Sequence, residues 1–209
     1  MRGQARLGEE KISKLLMEFS IPAIIGMVVN TLYNIVDRMY IGNIKDIGGL
    51  ALTGVGITMP IMTIIMAFGM LIGIGTSARI SLKLGEHKRE EAEKHLGNAF
   101  TLIIIASVLI TIIGLVFMHK ILGLFGASAD TEVYAREYMQ IIFFGTIFNM
   151  LSFGLNHSIR SDGSPKVAML SMLIGAGTNI ILDPIFIFVF GMGVRGAAIA
   201  TVILSLIHI

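Results

Sequence analysis

The sequence predicts an all-α, polytopic membrane helix bundle, on three observations. The chain of 209 residues has a mean hydropathy of +0.83 and is 55% hydrophobic. Charged residues make up 14% of the chain, against roughly 25% in an ordinary soluble domain. Its apolar residues fall into runs of about 20 or more, which is the length of a helix that crosses a bilayer. Because backbone groups in lipid must be hydrogen-bonded within their own segment, these runs favour helices over strands.

Six apolar runs follow one another along the chain. After a polar tail at residues 1–14, five complete spans are expected at about 15–41, 50–82, 96–118, 138–159 and 167–190. The first run is too long for the core of a signal peptide, so it is expected to be retained as a span. The sixth run covers 196–209, and its 14 residues are too few to complete a span. We therefore expect a single unit over 1–209, with five complete transmembrane helices and a truncated sixth.

Lys and Arg predict the orientation, because basic residues accumulate in cytoplasmic loops. Eleven of the 16 lie on the side of the N-terminus: Arg2, Arg6, Lys11, Lys14, Arg79, Lys83, Lys88, Arg89, Lys94, Arg160 and Lys166. The other five lie toward the opposite side: Arg38, Lys45, Lys120, Arg136 and Arg195. We expect a multi-pass protein of the cell membrane with a cytoplasmic N-terminus. Since the basic residues occupy short loops and not one continuous face, nucleic acid is not an expected partner.

Enzymatic chemistry finds little support in the sequence. The chain has no Cys, so it contains neither a disulfide framework nor a thiolate nucleophile. Its five His residues show no metal-ligand spacing. Residues 191–196 spell GxGxxG, but no strand precedes them, so they are interpreted as a turn and not a dinucleotide site. We expect no enzyme and no cofactor.

Two carboxylates, Asp37 and Asp183, lie inside apolar runs. A charged side chain within a span costs roughly 2.5 to 3.5 kcal/mol on insertion scales, so it normally faces an internal cavity and marks an ion or substrate path. At 1.5 Å per residue, Asp37 lies about 7 Å and Asp183 about 12 Å below the outer ends of their spans. The two carboxylates are therefore expected at similar depths. The alternative is that each one only hydrogen-bonds a neighbouring helix and stabilises packing.

Two further oxygen-bearing side chains are expected at that depth. Thr201 lies about 9 Å below Arg195, and Asn179 precedes Asp183 by four residues, which places both on one helix face. Carboxylate, amide and hydroxyl oxygens suit a hard cation such as sodium, whereas a carboxylate pair alone suits protons. These residues predict a shared cation site.

Small and cyclic residues predict local helix geometry. Pro22 and Pro60 lie inside spans one and two, where each removes a backbone donor and tends to kink the helix. Gly69, Gly73 and Gly75 form a stripe in span two that would allow a second helix to approach closely. We interpret this stripe as a packing surface and not as a substrate contact.

Several segments resemble the prokaryotic branch of the multidrug and toxic compound extrusion (MATE) family. In order they are IPAIIGMVVNTLYNIVDRMYIG, GIGTSARISLKLGEHKREEAEKHLGNAF, LNHSIRSDGSPK, NIILDPIFIF and GVRGAAIAT. The family fold has twelve helices in two six-helix lobes, so the resemblance implies an N-terminal lobe that lacks its C-terminal lobe. It also implies an antiporter in the lipid bilayer that exports organic cations or other amphipathic xenobiotics in exchange for sodium or protons.

The resemblance also implies roles for individual residues. It places the coupling cation at Asp37, Asn179, Asp183 and Thr201, and makes Pro22 the site of a helix kink that changes with protonation. The residues that resemble the family's substrate cavity are Asn30, Tyr138, Asn156 and Met172. After Ile203 the family usually continues with a polar residue and completes span six, whereas here Leu204 follows and the chain stops at Ile209 within the apolar run. This departure indicates that the chain is truncated. We hypothesise that its last six residues are foreign to the gene.

Two other functions fit the sequence less well. A lipid-linked oligosaccharide flippase of the same superfamily would need a strongly basic cavity for its diphosphate, and the spans contain almost no Lys or Arg. An intramembrane aspartyl protease would use two aspartates as its acid pair. Proteases of that kind share a YD pair and a GxGD loop. In this chain Val36 stands where the Tyr of the pair would be, and the residues at 180–182 before Asp183 are apolar and include no Gly.

Overall fold

The computed structural model describes residues 11–209, and every regular element in that range is helical, as the sequence predicts. The helices are α1 (Ile12–Gly42), α2 (Gly48–Gly85), α3 (Arg89–Val116), α4 (Met118–Leu124), α5 (Ala129–Phe144), α6 (Thr146–Ser161), α7 (Pro165–Pro184) and α8 (Val194–Ile207). One π-helical turn, Ile185–Val189, follows α7. Residues 1–10 of the predicted polar tail lie outside the described part.

Four helical segments are long and apolar enough to cross a membrane: α1, α2, α3, and α7 together with its π-helical turn. The bent pair α5 and α6 brings the total to five if it is counted as one span, and in chain order this pair is the fourth span. Helix α8 is apolar but has only 14 residues. The chain is therefore an integral membrane protein by the length and composition of its described helices.

The fourth span differs from its predicted bounds of 138–159. Helix α4 and the first part of α5 occupy residues that were predicted to form a connection. A capping box at Ser128 and Thr131 begins α5, and acidic residues in the first turn favour a helix N-terminus. Asp130 and Glu132 interrupt the apolar run there, so hydropathy alone placed the start of the span too late.

The fourth span is also bent, by 60° between α5 and α6. The bend lies at Gly145, where an added Cβ would stand 2.3 Å from Val202 Cγ2 of α8. Thr111 of α3 donates its hydroxyl to the Phe143 carbonyl over 2.7 Å, which satisfies a backbone group beside the bend. Contacts from two neighbouring helices therefore accommodate and stabilise this break.

Two helix pairs organise the bundle. Helix α2 packs chiefly on α6, α3 and α5, and it surrounds the main apolar core with them. Helix α1 packs chiefly on α7 and contacts α2 much less. The polar residues predicted for the site lie where the α1 and α7 pair meets α8 and the α2 side of the bundle. The end of the bundle at Gly42 is called the outer end, in accordance with the predicted orientation.

Candidate functional site

The α1 and α7 interface brings the two predicted carboxylates together. Asp37 of α1 is 6% exposed, and Asp183 of α7 is fully buried. Their carboxyl groups are close enough to interact directly. The two spans run in the same direction, because Gly26 of α1 lies beside Met172 of α7 at one end and Asp37 lies beside Asp183 at the other. The similar depths predicted from the helical rise therefore place the two carboxylates side by side.

Three buried oxygen atoms at this contact have no hydrogen-bond partner. They are Asp37 Oδ1, Asn179 Oδ1 and Asp183 Oδ2, and they are all of the buried side-chain N and O atoms without a partner among residues 11–209. The Asn179 amide donates to the other Asp183 oxygen over 3.2 Å, so its own oxygen remains available. Buried polar atoms in native proteins are nearly always paired. The cluster therefore offers three oxygen acceptors to a cation or a proton.

Thr201 of α8 and Tyr138 of α5 extend this cluster. Both side chains are buried, and both line the same cavity as Asp37. Thr201 donates its own proton to the Ala197 carbonyl over 3.0 Å. Its oxygen can therefore accept a hydrogen bond, and its role as a cation ligand stays a prediction.

A cavity of about 280 Å³, here called the outer cavity, opens beside the carboxylates. Asp37, Tyr138 and Thr201 line it, while Asn179 and Asp183 lie behind Asp37 and are fully buried. Asn30 also lines this cavity. Asp37 therefore lies between the outer cavity and the buried side chains of Asn179 and Asp183.

A second cavity of about 240 Å³, here called the inner cavity, lies toward the other end of the same helices. Of the predicted cavity residues, Asn156 and Met172 line only this one, and Asn30 lines both. Asn156 also donates its amide to the Ala168 carbonyl over 3.1 Å, so it joins α6 to α7. The predicted substrate residues are consequently divided between two neighbouring spaces.

Pro22 lies far from the carboxylates. It is buried inside α1, and the helix continues through it without interruption. Fifteen residues separate Pro22 from Asp37, which corresponds to about 22 Å along the axis. Any effect of Pro22 on the cluster would therefore be transmitted through the helix and not through contact.

Sequence reasoning missed many residues that line the outer cavity, among them Tyr33, Asn34 and Arg38 of α1. Tyr33 precedes Asp37 by four residues, so the helical repeat that paired Asn179 with Asp183 would have identified it. Arg38 directly follows Asp37, and adjacent residues on a helix point in different directions. Its long side chain nevertheless reaches the cavity that Asp37 lines.

Comparison with known proteins agrees with this architecture. The MatE family matches residues 22–185. The multidrug export protein MepA of Staphylococcus haemolyticus is 34% identical over 197 residues, which are 93% of this chain and 43% of that protein. The chain therefore spans less than half the length of this curated relative.

Solved structures match the whole chain. A crystal structure of MATE in the bent conformation aligns with a TM-score of 0.90 at 32% identity, covering 100% of this chain and 46% of that one. A MOP superfamily transporter from Pyrococcus furiosus, described as having a reverse polarity of its binding pocket that suggests a different function, aligns with the same score, identity and coverage of this chain, and 45% of its own. With its sequence matched over well more than half its length and its fold reproduced in full, the chain belongs to the MatE family.

Proposed function

We propose that this chain is the N-terminal lobe of a cation-coupled antiporter that exports organic cations or other amphipathic drugs. The observation that carries the proposal is the cluster of unpartnered oxygens from Asp37, Asn179 and Asp183, buried between two membrane helices beside a cavity. Such oxygens are the ligands of hard cations. The export activity of the similar MepA proteins, whose names describe multidrug export, supports the direction of transport.

The coupling step follows from the position of Asp37 between the buried pair and the outer cavity. With no bound cation, two neighbouring carboxylates repel each other, and the cavity wall attracts a positively charged substrate. When sodium or a proton enters the cluster, it neutralises part of this charge and allows α1 to pack more closely on α7. The outer cavity then binds the cationic substrate less tightly, and the substrate is released outward.

Sodium and protons would use the same cluster in different ways. Sodium would take oxygens from both helices, with Thr201 as a further ligand. A proton would be shared between Asp37 and Asp183, because two carboxylates in contact do not ionise together readily. In both cases Asp37 is required, since it is the carboxylate on α1.

Cation binding tests the proposal directly. Purified chain in a neutral detergent should unfold at a higher temperature in sodium chloride than in choline chloride at pH 8, or should take up a proton as the pH falls from 8 to 6. Asp37→Asn should remove either response. Asp46→Asn is the matched control, because Asp46 is an exposed carboxylate in the loop that follows α1. If Asp37→Asn and the control respond equally, the cation cluster is excluded as the coupling site.

We also propose that export requires a second, C-terminal six-helix lobe. This chain corresponds to 43% of MepA from Staphylococcus haemolyticus and to 46% of a matched MATE structure. Reading the gene beyond the codon for Ile209 tests this. Six further apolar spans in frame would support a two-lobe exporter in which Asp37→Asn abolishes export of an organic cation. A stop codon would mean that a second chain has to supply the other lobe.

Orientation and location complete the proposal. A cytoplasmic N-terminus in the cell membrane is supported by the basic residues near the inner loops. Attachment of a membrane-impermeant reagent to a single cysteine can test it, because the chain has no native Cys. A cysteine at exposed Lys45 should react from outside intact cells, and one at exposed Lys88 should react only after lysis.

A further inference from the structure

Arg160, near the end of α6, extends into the inner cavity. Its Nη2 atom lies 3.7 Å from Met172 Sδ of α7, and 3.8 Å from the point where a Cβ on Gly26 of α1 would stand. The guanidinium therefore reaches from α6 across to the α1 and α7 interface. This places a permanent positive charge, partly buried, between three membrane helices.

No carboxylate pairs with Arg160 among the described residues. Some other basic residues near the helix ends do have carboxylate partners: Arg89 with Glu93 at 2.9 Å, Arg195 with Glu137 at 2.9 Å, and Lys83 with Glu91 at 2.8 Å. Within residues 11–209, the side-chain hydrogen-bond partner of Arg160 is a thioether, which is a weak acceptor for a group with five N–H donors. Most of the donor capacity of Arg160 is therefore not used by the described residues.

The rest of the inner cavity is apolar or neutral. Its wall includes four methionines and a phenylalanine, which are Met27, Met66, Met70, Met172 and Phe153. No Asp or Glu is among the described residues that line it. Besides Arg160, six lining residues carry polar groups: Asn30, Thr31, Ser152, Asn156, His157 and His208. A flexible apolar wall beside a single unpaired guanidinium is complementary to a molecule with one anionic end and one apolar end.

We infer that the inner cavity binds an amphipathic anion, whose carboxylate, sulfonate or phosphate oxygens accept hydrogen bonds from Arg160 while its apolar part lies against the methionines and Phe153. The chemistry is shared by soluble organic acids and by the headgroup region of anionic lipids. Gly26, which is near the guanidinium, lies eleven residues from Asp37 on α1, or about 16 Å along the axis. The guanidinium is thus well separated from the cation cluster along the bundle, although the inner and outer cavities share part of their walls: Asn30, Thr31, Met66, Ser152, Phe153 and His208.

The test is a binding measurement on the purified chain in a neutral detergent, with 1-naphthyl phosphate as the probe. 1-Naphthol shares the apolar ring without the charge, and inorganic phosphate shares the charge without the ring. We expect 1-naphthyl phosphate to bind at least about tenfold more tightly than either, because hydrogen bonds to a charged group contribute more than about 1.4 kcal/mol. Calorimetric titration measures all three.

Variants locate the binding to the guanidinium. Arg160→Gln should remove the advantage of 1-naphthyl phosphate over 1-naphthol, whereas Arg89→Gln should keep it, since Arg89 is an exposed arginine paired on its own helix. If Arg160→Gln does not fold by circular dichroism, Arg160→Lys keeps the charge and should weaken binding to an intermediate value, because lysine lacks the bidentate geometry. Equal affinity of the wild-type chain and the Arg160 variant for 1-naphthyl phosphate would overturn the inference.

A second arm distinguishes the two sources of the anion. The titration is repeated in nanodiscs of phosphatidylcholine, with and without phosphatidylglycerol. Competition by phosphatidylglycerol would identify the lipid headgroup as an occupant of the inner cavity. An unchanged affinity would assign the site to soluble amphipathic acids. Because no transport is measured, failure of the proposed antiport function would leave this result unaffected, and the reverse also holds.

Discussion

The α2 and α6 pair and the α1 and α7 pair differ in what they bury. In the first, Gly69 and Gly73 face the backbone of α6: a Cβ on Gly73 would stand 2.7 Å from Gly154 Cα, and one on Gly69 would stand 3.2 Å from Met150 Cα. In the second, the contact buries two carboxylates and an amide, and three oxygens lack partners. In one interface the two backbones approach each other closely. The other interface buries polar groups whose oxygens lack hydrogen-bond partners.

This difference assigns separate physical roles to the two pairs. Close approach of small residues maximises packing, which is what holds membrane helices together when the surrounding lipid is equally apolar. Buried charges without partners lower stability and respond to whatever neutralises them. We therefore interpret α2 and α6 as the rigid part of the bundle. Under the proposed function, α1 and α7 are the part whose packing would respond to a bound cation.

The largest expected effect comes from filling the α2 and α6 contact. Gly73→Leu should lower the free energy of unfolding by at least about 2 kcal/mol, because the new side chain forces two backbones apart. Gly75→Leu is the matched control on the same helix, where an added Cβ meets nothing within 4 Å. Thermal unfolding in detergent compares the two. Similar losses for both variants would remove the distinction between a packed face and an open face of α2.

A smaller effect is expected at the bend between α5 and α6. Thr111→Val should cost about 1 to 3 kcal/mol, because the Phe143 carbonyl loses the hydroxyl that donates to it. Thr101→Val on the same helix serves as the control, since Thr101 is exposed and donates only to the Gly97 carbonyl of its own helix. The comparison uses the same unfolding assay. An equal cost for the two variants would show that the bend does not need Thr111.

The smallest effect on stability is expected inside the α1 and α7 contact. Asp183→Asn should change the free energy of unfolding by less than about 1 kcal/mol, because it removes a buried charge while its amide can donate to the Asp37 carboxylate. Its unfolding temperature should also lose any dependence on sodium. A loss of stability as large as that of Gly73→Leu would contradict the division between a rigid pair and a responsive pair.

Part of the site could be predicted from residue positions alone. The depth of Asp37 and Asp183 and the shared face of Asn179 with Asp183 follow from the helical repeat, and the structure brings the carboxyl groups together. Their role in cation coupling stays a prediction. The glycine stripe was predicted as a packing surface, and Gly69 and Gly73 do pack on α6, but Gly75 faces open space. A stripe in the sequence does not indicate which of its members meets a partner helix.

The helical, membrane-spanning character of this protein and the depth of its polar residues follow from the amino-acid sequence alone. Both are local properties, since hydropathy and a rise of about 1.5 Å per residue act along one helix at a time. Three other features became visible only in the folded chain: the pairing of α1 with α7, the 60° bend at Gly145, and the reach of Arg160 into the inner cavity. In a membrane protein the lipid-facing and core-facing sides of a helix are both apolar. The rotation of each helix about its axis, and therefore its neighbours, is consequently determined by packing between helices that are distant in sequence.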